Sequence, residues 1–427
     1  FAEFWTSTGG ADRISGCFSG TYGCSSIGTE PVLPPDDFVF MKVLMVNYEL
    51  PPLGGGGGTT TKFLAKHLAR AGVEIRVLTT GFPGLPDREE IDGYEVIRFK
   101  TRRQKIYQSD KGEMLLFIIN GIPAACRMVQ AWKPDLLHIF FGYPTGPIGW
   151  VIRKRFGIPY VLSLLGADVP GVADREVGIQ HIFLKPATGM IWQNASYIVA
   201  NSQGLKEASE ASVKSRTVEV VDNGIDMDSF YPCDRRGRSG LRLLFVARFA
   251  VNKRLDILLR ACGELLNEGE SAWSLTVIGD GPLRSDYEAI LNSDPRLRQR
   301  VHLSGWVKMD QLRDYYHSAD VFVLTSDYEG MSSVVLQAMA CGLPIISTPV
   351  QGSEGMIIDG ENGFFIPFGD VQALKRAIKA FLHQPERLQP FGLRSVQLVE
   401  RYDWKYAAQR YLDYYRRTLL EATSAFR

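Results

Sequence analysis

The chain has 427 residues, is 45% hydrophobic and 22% charged, and carries 48 Lys plus Arg against 47 Asp plus Glu, a net charge of +1. At roughly 100 to 200 residues per domain that length predicts two to four domains, and the composition excludes a peptide-sized scaffold and a chain disordered over most of its length. The near-zero charge balance gives no global reason to expect nucleic acid as the partner.

The six cysteines (Cys17, Cys24, Cys126, Cys233, Cys262 and Cys341) are scattered, without zinc-ligand spacing, so a reducing, cytoplasmic compartment fits them best. The longest apolar stretch, Met114 to Cys126, is interrupted by Asn120, Gly121 and Pro123 and falls short of a membrane span. It lies between the basic clusters Lys100–Lys105 and Arg153–Arg155. A buried helix with two solvated basic faces is the favoured reading, and peripheral contact with the inner face of a membrane is the alternative.

Residues 1–40 are rich in Gly, Ser, Thr and Pro without helical or strand periodicity. They lack the basic-then-apolar order of a signal peptide, so they are expected to be a poorly ordered or non-native leader, dispensable for folding, with Met41 as the natural start. From Met41 the order MKVLMV, Gly-rich loop, TKFLAKHLARAG, EIRVLTT is strand, loop, helix beginning near Thr59, strand: a βαβ unit. Apolar runs at Leu136–Phe140, Tyr160–Leu165 and Tyr197–Ala200 extend this into a parallel sheet covered on both faces. A stretch without periodicity, Pro232 to Gly240, reads as a linker. After it come LRLLFVAR, a helix from Arg254, SLTVIGDG, VHLSGWV, DVFVLTS, VVLQAMACG and PIIST, a second βα domain. The predicted organisation is a leader over 1–40, Rossmann-like domains over 41–222 and 223–402, and a terminal helix over 403–427 whose aromatic stripe docks on them. Two such sheets place their carboxyl ends at a shared cleft.

Gly54 to Gly58 is a five-glycine loop before the helix beginning near Thr59, whose unpaired backbone N–H groups can meet a phosphate or sugar, and it fits a flexible turn equally well. Arg248 and Lys253 follow a strand, as two cations suited to a diphosphate or as solvated loop charges. Glu329 precedes a helix whose first N–H groups, at Ser332 to Val334, could face an anion; Glu329 could accept from hydroxyls or cap that helix. Gln337 lies about two turns further on. His138 reads as a satisfied structural histidine rather than a cleft group, and Asp226-Met227-Asp228 as a coincidental carboxylate pair.

The ordered segments KPDLLHIF, LSLLGADVP, NASYIVANS, VVDNGIDMDSFYP, FVARFAVNKRLDILLRA, VIGDGPLR, VHLSGWV and TSDYEGMSSVVLQAMACGLPIISTPVQG, with the Gly-rich loop before them, resemble the retaining GT-B glycosyltransferases of family 4 (group 1). The resemblance implies an acceptor-side amino-terminal domain and a carboxy-terminal domain for a nucleotide-sugar donor, with UDP-hexose favoured, no metal required, and a saccharide or lipid-linked acceptor. It implies Arg248 and Lys253 on the donor diphosphate, Glu329 on the transferred sugar, Gln337 on the ribose, and Gly279 with Trp306, Val307 and Lys308 beside the base. Gly55, Gly56, Gly57 and Met331, Ser332, Ser333, Val334 complete the donor site. Relatives commonly have Glu where this chain has Gln337, and many have His where it has Leu165, which leaves Asp168 to hold sugar or acceptor hydroxyls. A non-catalytic nucleotide-sugar-binding subunit and a nucleotide-sugar epimerase are the alternatives.

Overall fold

The computed structural model describes residues 40–424 except 107–108, 167, 170–186, 214–215, 236–238, 351 and 354. The proposed leader up to residue 39, with Cys17 and Cys24, and part of the proposed linker lie outside the described residues. An eight-stranded sheet takes the order β3-β4-β2-β1-β5-β6-β7-β8. Its strands are β1 Lys42–Val46, β2 Glu74–Thr80, β3 Arg88–Ile91, β4 Tyr94–Phe99, β5 Leu136–Phe140, β6 Tyr160–Leu164, β7 Tyr197–Ala200 and β8 Glu219–Val220. A six-stranded parallel sheet takes the order β11-β10-β9-β12-β13-β14. Its strands are β9 Leu241–Val246, β10 Trp273–Ile278, β11 Val301–Gly305, β12 Val321–Leu324, β13 Ile345–Ser347 and β14 Gly363–Phe365.

Strand periodicity sorts the core. Val43 and Met45 of β1 enter one apolar layer with Phe63 and Leu64 of α1 (Gly56–Arg70), while Leu44 and Val46 enter the opposite layer with Phe117 of α2 (Lys111–Trp132) and Ile148 of α3 (Gly146–Phe156). In the second sheet Leu243 and Phe245 pack on one side with Leu258 of α4 (Leu255–Asn267). Leu244 and Val246 pack on the other with Leu336 of α5 (Ser333–Ala340).

Three local features differ from the sequence expectation. Helix α1 starts at Gly56, so three of the loop glycines form its first turn. The first sheet is not wholly parallel, because β3 pairs antiparallel with β4 across a turn with Asp92 at φ 49° and Gly93 at φ 86°. The stretch Met114–Cys126 belongs to a single helix, α2, which runs on through Pro123 and opens on a capping box between Asp110 and Glu113. Only 22% of its apolar window is buried, which overturns the favoured reading of a buried core helix.

The terminal helix α6 (Trp404–Ser424) packs on the first sheet, with Trp404, Tyr411 and Tyr415 in the layer that holds α1. His138 in β5 joins it: Nδ1 is 2.5 Å from Tyr415 Oη, Nε2 is 2.7 Å from Ser163 Oγ, and that hydroxyl is 2.8 Å from Tyr411 Oη. His138 is thus a buried structural group away from the cleft, and burial pushes its pKa down to about 3. Unfolded His138 takes a proton below its ordinary pKa and folded His138 does not, so stability contributed at neutral pH declines as pH falls through about 6.5 toward 3. The expected cost is about 2 kcal/mol at pH 5. A melting series from pH 7 to 5 checks it: His138→Asn should flatten the decline, and an unchanged pH slope would refute it.

Candidate functional site

In open α/β sheets ligands meet the carboxyl ends of strands where the strand order reverses. Here those points lie between β1 and β5 and between β9 and β12. The loops after β1, β9 and β12 carry the Gly-rich segment, Arg248 with Lys253, and Glu329. They come together with the loop after β6. A Cβ placed on Gly56 would lie 3.6 Å from Ser333 Oγ, and one on Gly330 would lie 2.8 Å from the carbonyl oxygen of Leu165 and 3.0 Å from Asn201 Oδ1. Gly330 is therefore the point where the loop before α5 touches the first domain, and a side chain there would force the two apart.

On the second domain, Lys253 Nζ forms an ion pair with Glu329 Oε1, and Ser326 Oγ donates to the same oxygen at 2.8 Å. Both ion-pair side chains are partly buried. The supporting loops are stitched together: Thr325 Oγ1 donates to the carbonyl oxygens of Lys253 and Arg254, and the Asp327 N–H to that of Asn252. Helix α5 follows at once, with Ser332 as its N-cap and no side-chain cap hydrogen bond among the described residues. Glu329 is consequently not the helix cap. The N-termini of α5 and α1 face one another, Gly55 has open space at its Cβ position, and neither helix has an acidic residue in its first turn. At α1 the Gly55 N–H already donates to Glu49 Oε2 at 3.2 Å, so it is the end of α5 that suits an anion.

Arg248 is exposed and makes no ion pair among the described residues. It lies within electrostatic reach of Tyr48 across the cleft, where burial raises the phenol well above its ordinary pKa and the Arg103 and Arg248 charges oppose that rise. Tyr48 packs on Phe141, with ring centroids 5.1 Å apart. Gly57 in turn lies against Phe141 and Leu165.

Gly279 has φ +139° and a Cβ there would overlap the carbonyl oxygen of Ala247, while its N–H donates to Gly305 O at 2.9 Å. Trp306 and Lys308 are exposed at the end of β11, and Val307 is half-buried against the α5 side of the sheet. Gln337 is buried, and its amide oxygen is 2.9 Å from Tyr316 Oη. Met331 and Ser332 are also buried, and the Asn223 N–H reaches the Met331 sulfur at 3.1 Å.

Asp168 is turned onto backbone, that of its own loop and that of the loop after β5. Its oxygens accept from the N–H groups of Gly142 (2.7 Å), Leu165 (3.1 Å) and Gly166 (3.0 Å). Burial raises its carboxyl pKa, and these bonds act the other way. Its direct effect is to fix the shape of the segment carrying Leu165. The Asp226 and Asp228 carboxylates are engaged elsewhere, Asp226 with Lys66 at 2.9 Å and Asp228 with Arg70 at 3.6 Å. Among the described residues no group of three or more His, Cys, Asp or Glu side chains comes together as a metal site.

Sequence reasoning missed Asn201. It follows β7, is 4% exposed, and its Oδ1 has no hydrogen-bond partner among the described residues although it lies against Gly330. A polar residue ending an apolar strand was the available signal.

Two α/β domains whose switch-point loops meet in this way define the GT-B class of glycosyltransferases. A family model described as Glycosyltransferase Family 4 matches residues 54–229, and one described as Glycosyl transferases group 1 matches residues 240–384. The chain belongs to this family and is a glycosyltransferase of that kind. It is 28% identical to D-inositol 3-phosphate glycosyltransferase 2 of Catenulispora acidiphila over 86% of this chain and 92% of that protein. Sucrose-phosphate synthase from Thermosynechococcus elongatus has the same fold, with a TM-score of 0.75 at 22% identity over 88% of this chain and 98% of that one. Anabaena HepE, solved in complex with UDP-glucose, superposes with a TM-score of 0.65 at 18% identity over 90% of this chain and 100% of that one.

Proposed function

We propose that the chain transfers a hexose from a UDP-sugar, with retention of configuration, to a hydroxyl of a saccharide or lipid-linked acceptor. The observation that carries this reading is the Lys253–Glu329 pair set before the open N-terminus of α5, with the glycines of α1 opposite. The diphosphate is assigned to Arg248, Lys253 and the N–H groups of Ser333 and Val334, where positive charge meets the negative charge that grows as the nucleotide leaves. Glu329 orients the sugar through its hydroxyls. The acceptor attacks from the face the nucleotide departs, and the β-phosphate takes its proton. Gly279 and Trp306 to Lys308 border the base, and Asp168 acts as a positioning residue through the Leu165 loop.

The cytoplasmic side, at or near a membrane, is the proposed compartment, in keeping with free thiols at all four described cysteines. Labelled UDP-glucose offered with saccharide, lipid-linked and phosphorylated cyclitol acceptors tests the reading. Label moved to an acceptor supports it. Binding without transfer assigns a non-catalytic subunit, and a changed free nucleotide sugar an epimerase.

No metal enters this mechanism. Transfer is therefore expected to proceed unchanged in EDTA, and activity that vanishes on chelation and returns with manganese would overturn the assignment of the diphosphate to side chains and helix termini. Gln337→Glu is expected to leave transfer intact or to improve donor affinity, because the Tyr316 hydroxyl can donate to a carboxylate as well as to an amide oxygen. A rise in donor KM would count against Gln337 beside the ribose.

A further inference from the structure

Helix α2 is the one described helix long and apolar enough to cross a membrane, yet most of it is unburied and it packs within a folded domain. Leu115 is 53% and Ile119 54% exposed, one turn apart on the same face. Beside them, α2 and the edge of the first sheet form a groove of ≈ 720 Å³ with an apolar floor that includes Ile97, Phe99 and Met128.

The charges around this face are unequal. Arg76 and Arg98 in the groove are paired, with Glu95 and Glu89. Lys100 and Arg127 line the same groove, are exposed, and make no ion pair among the described residues, as is also true of Arg102, Lys105 and Lys111 nearby. The one acid inside α2, Glu113, accepts from the N–H groups of Gln104 and Asp110. Apolar side chains framed by free cations, with the helix's own carboxylate tied back to backbone, match an anionic bilayer surface.

We infer that α2 and the segment Lys100–Ile106 lie on an anionic membrane surface, with Leu115 and Ile119 entering the headgroup boundary and Lys100 and Arg127 meeting lipid phosphates. The same segment braces the cleft: Gly54 N–H donates to Ile106 O at 2.8 Å, and Arg103 Nη1 donates to Tyr48 O at 3.1 Å. Docking there brings the acceptor side of the cleft to the bilayer, which deepens the reading of a lipid-linked acceptor and rests on it only in that respect. Vesicle binding itself needs no donor and no transfer, so the two fail separately.

The test is flotation of the full chain with vesicles of phosphatidylcholine plus phosphatidylglycerol, against phosphatidylcholine alone. Binding to the anionic vesicles is expected, weakening with salt. The pairs Lys100→Glu with Arg127→Glu, and Leu115→Gln with Ile119→Gln, should each lower it by at least about tenfold. All four positions are exposed, so melting should not change and transfer to a water-soluble acceptor should persist. Equal binding to neutral vesicles, no binding, or wild-type binding by both double variants would overturn the inference. So would a concentration-dependent dimer that Leu115→Gln with Ile119→Gln turns into monomer, which would assign the face to a second copy of the chain.

Discussion

Arg248→Ala and Lys253→Ala are each expected to lower transfer by ~100-fold or more, a loss of about 3 kcal/mol of transition-state stabilisation. The two should differ in everything else. Arg248 is exposed and has no ion-pair partner among the described residues, so its removal should leave melting unchanged while transfer falls. Lys253 is the partner of Glu329, so its removal also leaves a carboxylate unneutralised beside the place assigned to the diphosphate. Donor KM should therefore rise more in Lys253→Ala than in Arg248→Ala. Lys253→Ala with Glu329→Gln should cost less than the two single losses combined, because the residues act as a unit. Near-native turnover in both alanine variants would remove the diphosphate assignment.

What sequence alone could supply depended on how local the cause was. The βα order was legible because parallel strands buried on both faces read as apolar runs, as in Val43–Val46 and Leu136–Phe140. The β3–β4 hairpin was equally local and was overlooked: Asp92-Gly93 between EEI and YEVIRF is the dipeptide that a tight hairpin turn demands. The start of α1 was misplaced because glycine is a poor helix former, and tertiary packing overrides that propensity at Gly56–Gly58. Helix α2 was misread for a different reason. An apolar run signals a preference for removal from water, and the pattern cannot say how much of the run the rest of the chain covers.

The site was legible as parts and not as an arrangement. Arg248, Lys253 and Glu329 could be nominated from their places after strands and before a helix. That Lys253 and Glu329 pair across 76 positions follows only from β12 lying beside β9, which sequence spacing does not encode. Asp168 shows the converse. The resemblance implied a group aimed at sugar or acceptor hydroxyls, while nearby backbone N–H groups captured both oxygens, those of Leu165 and Gly166 taking one and that of Gly142, after β5, the other.

Glu329→Gln isolates charge from shape. The amide oxygen can still accept from Lys253 and from Ser326, so the loop before α5 should keep its form and melting should change little. Transfer should nonetheless fall by ~100-fold, about 2.7 kcal/mol, because an amide accepts more weakly from sugar hydroxyls and no longer compensates Lys253. Donor affinity offers a second readout. With Lys253 freed from its anion, binding of UDP alone should hold or strengthen while turnover of the UDP-sugar drops, a split that a structural role would not produce. If Glu329→Gln transfers sugar at the native rate and melts early, the pair is a strut between the β9 and β12 loops. The non-catalytic binding subunit would then be the better account of this cleft.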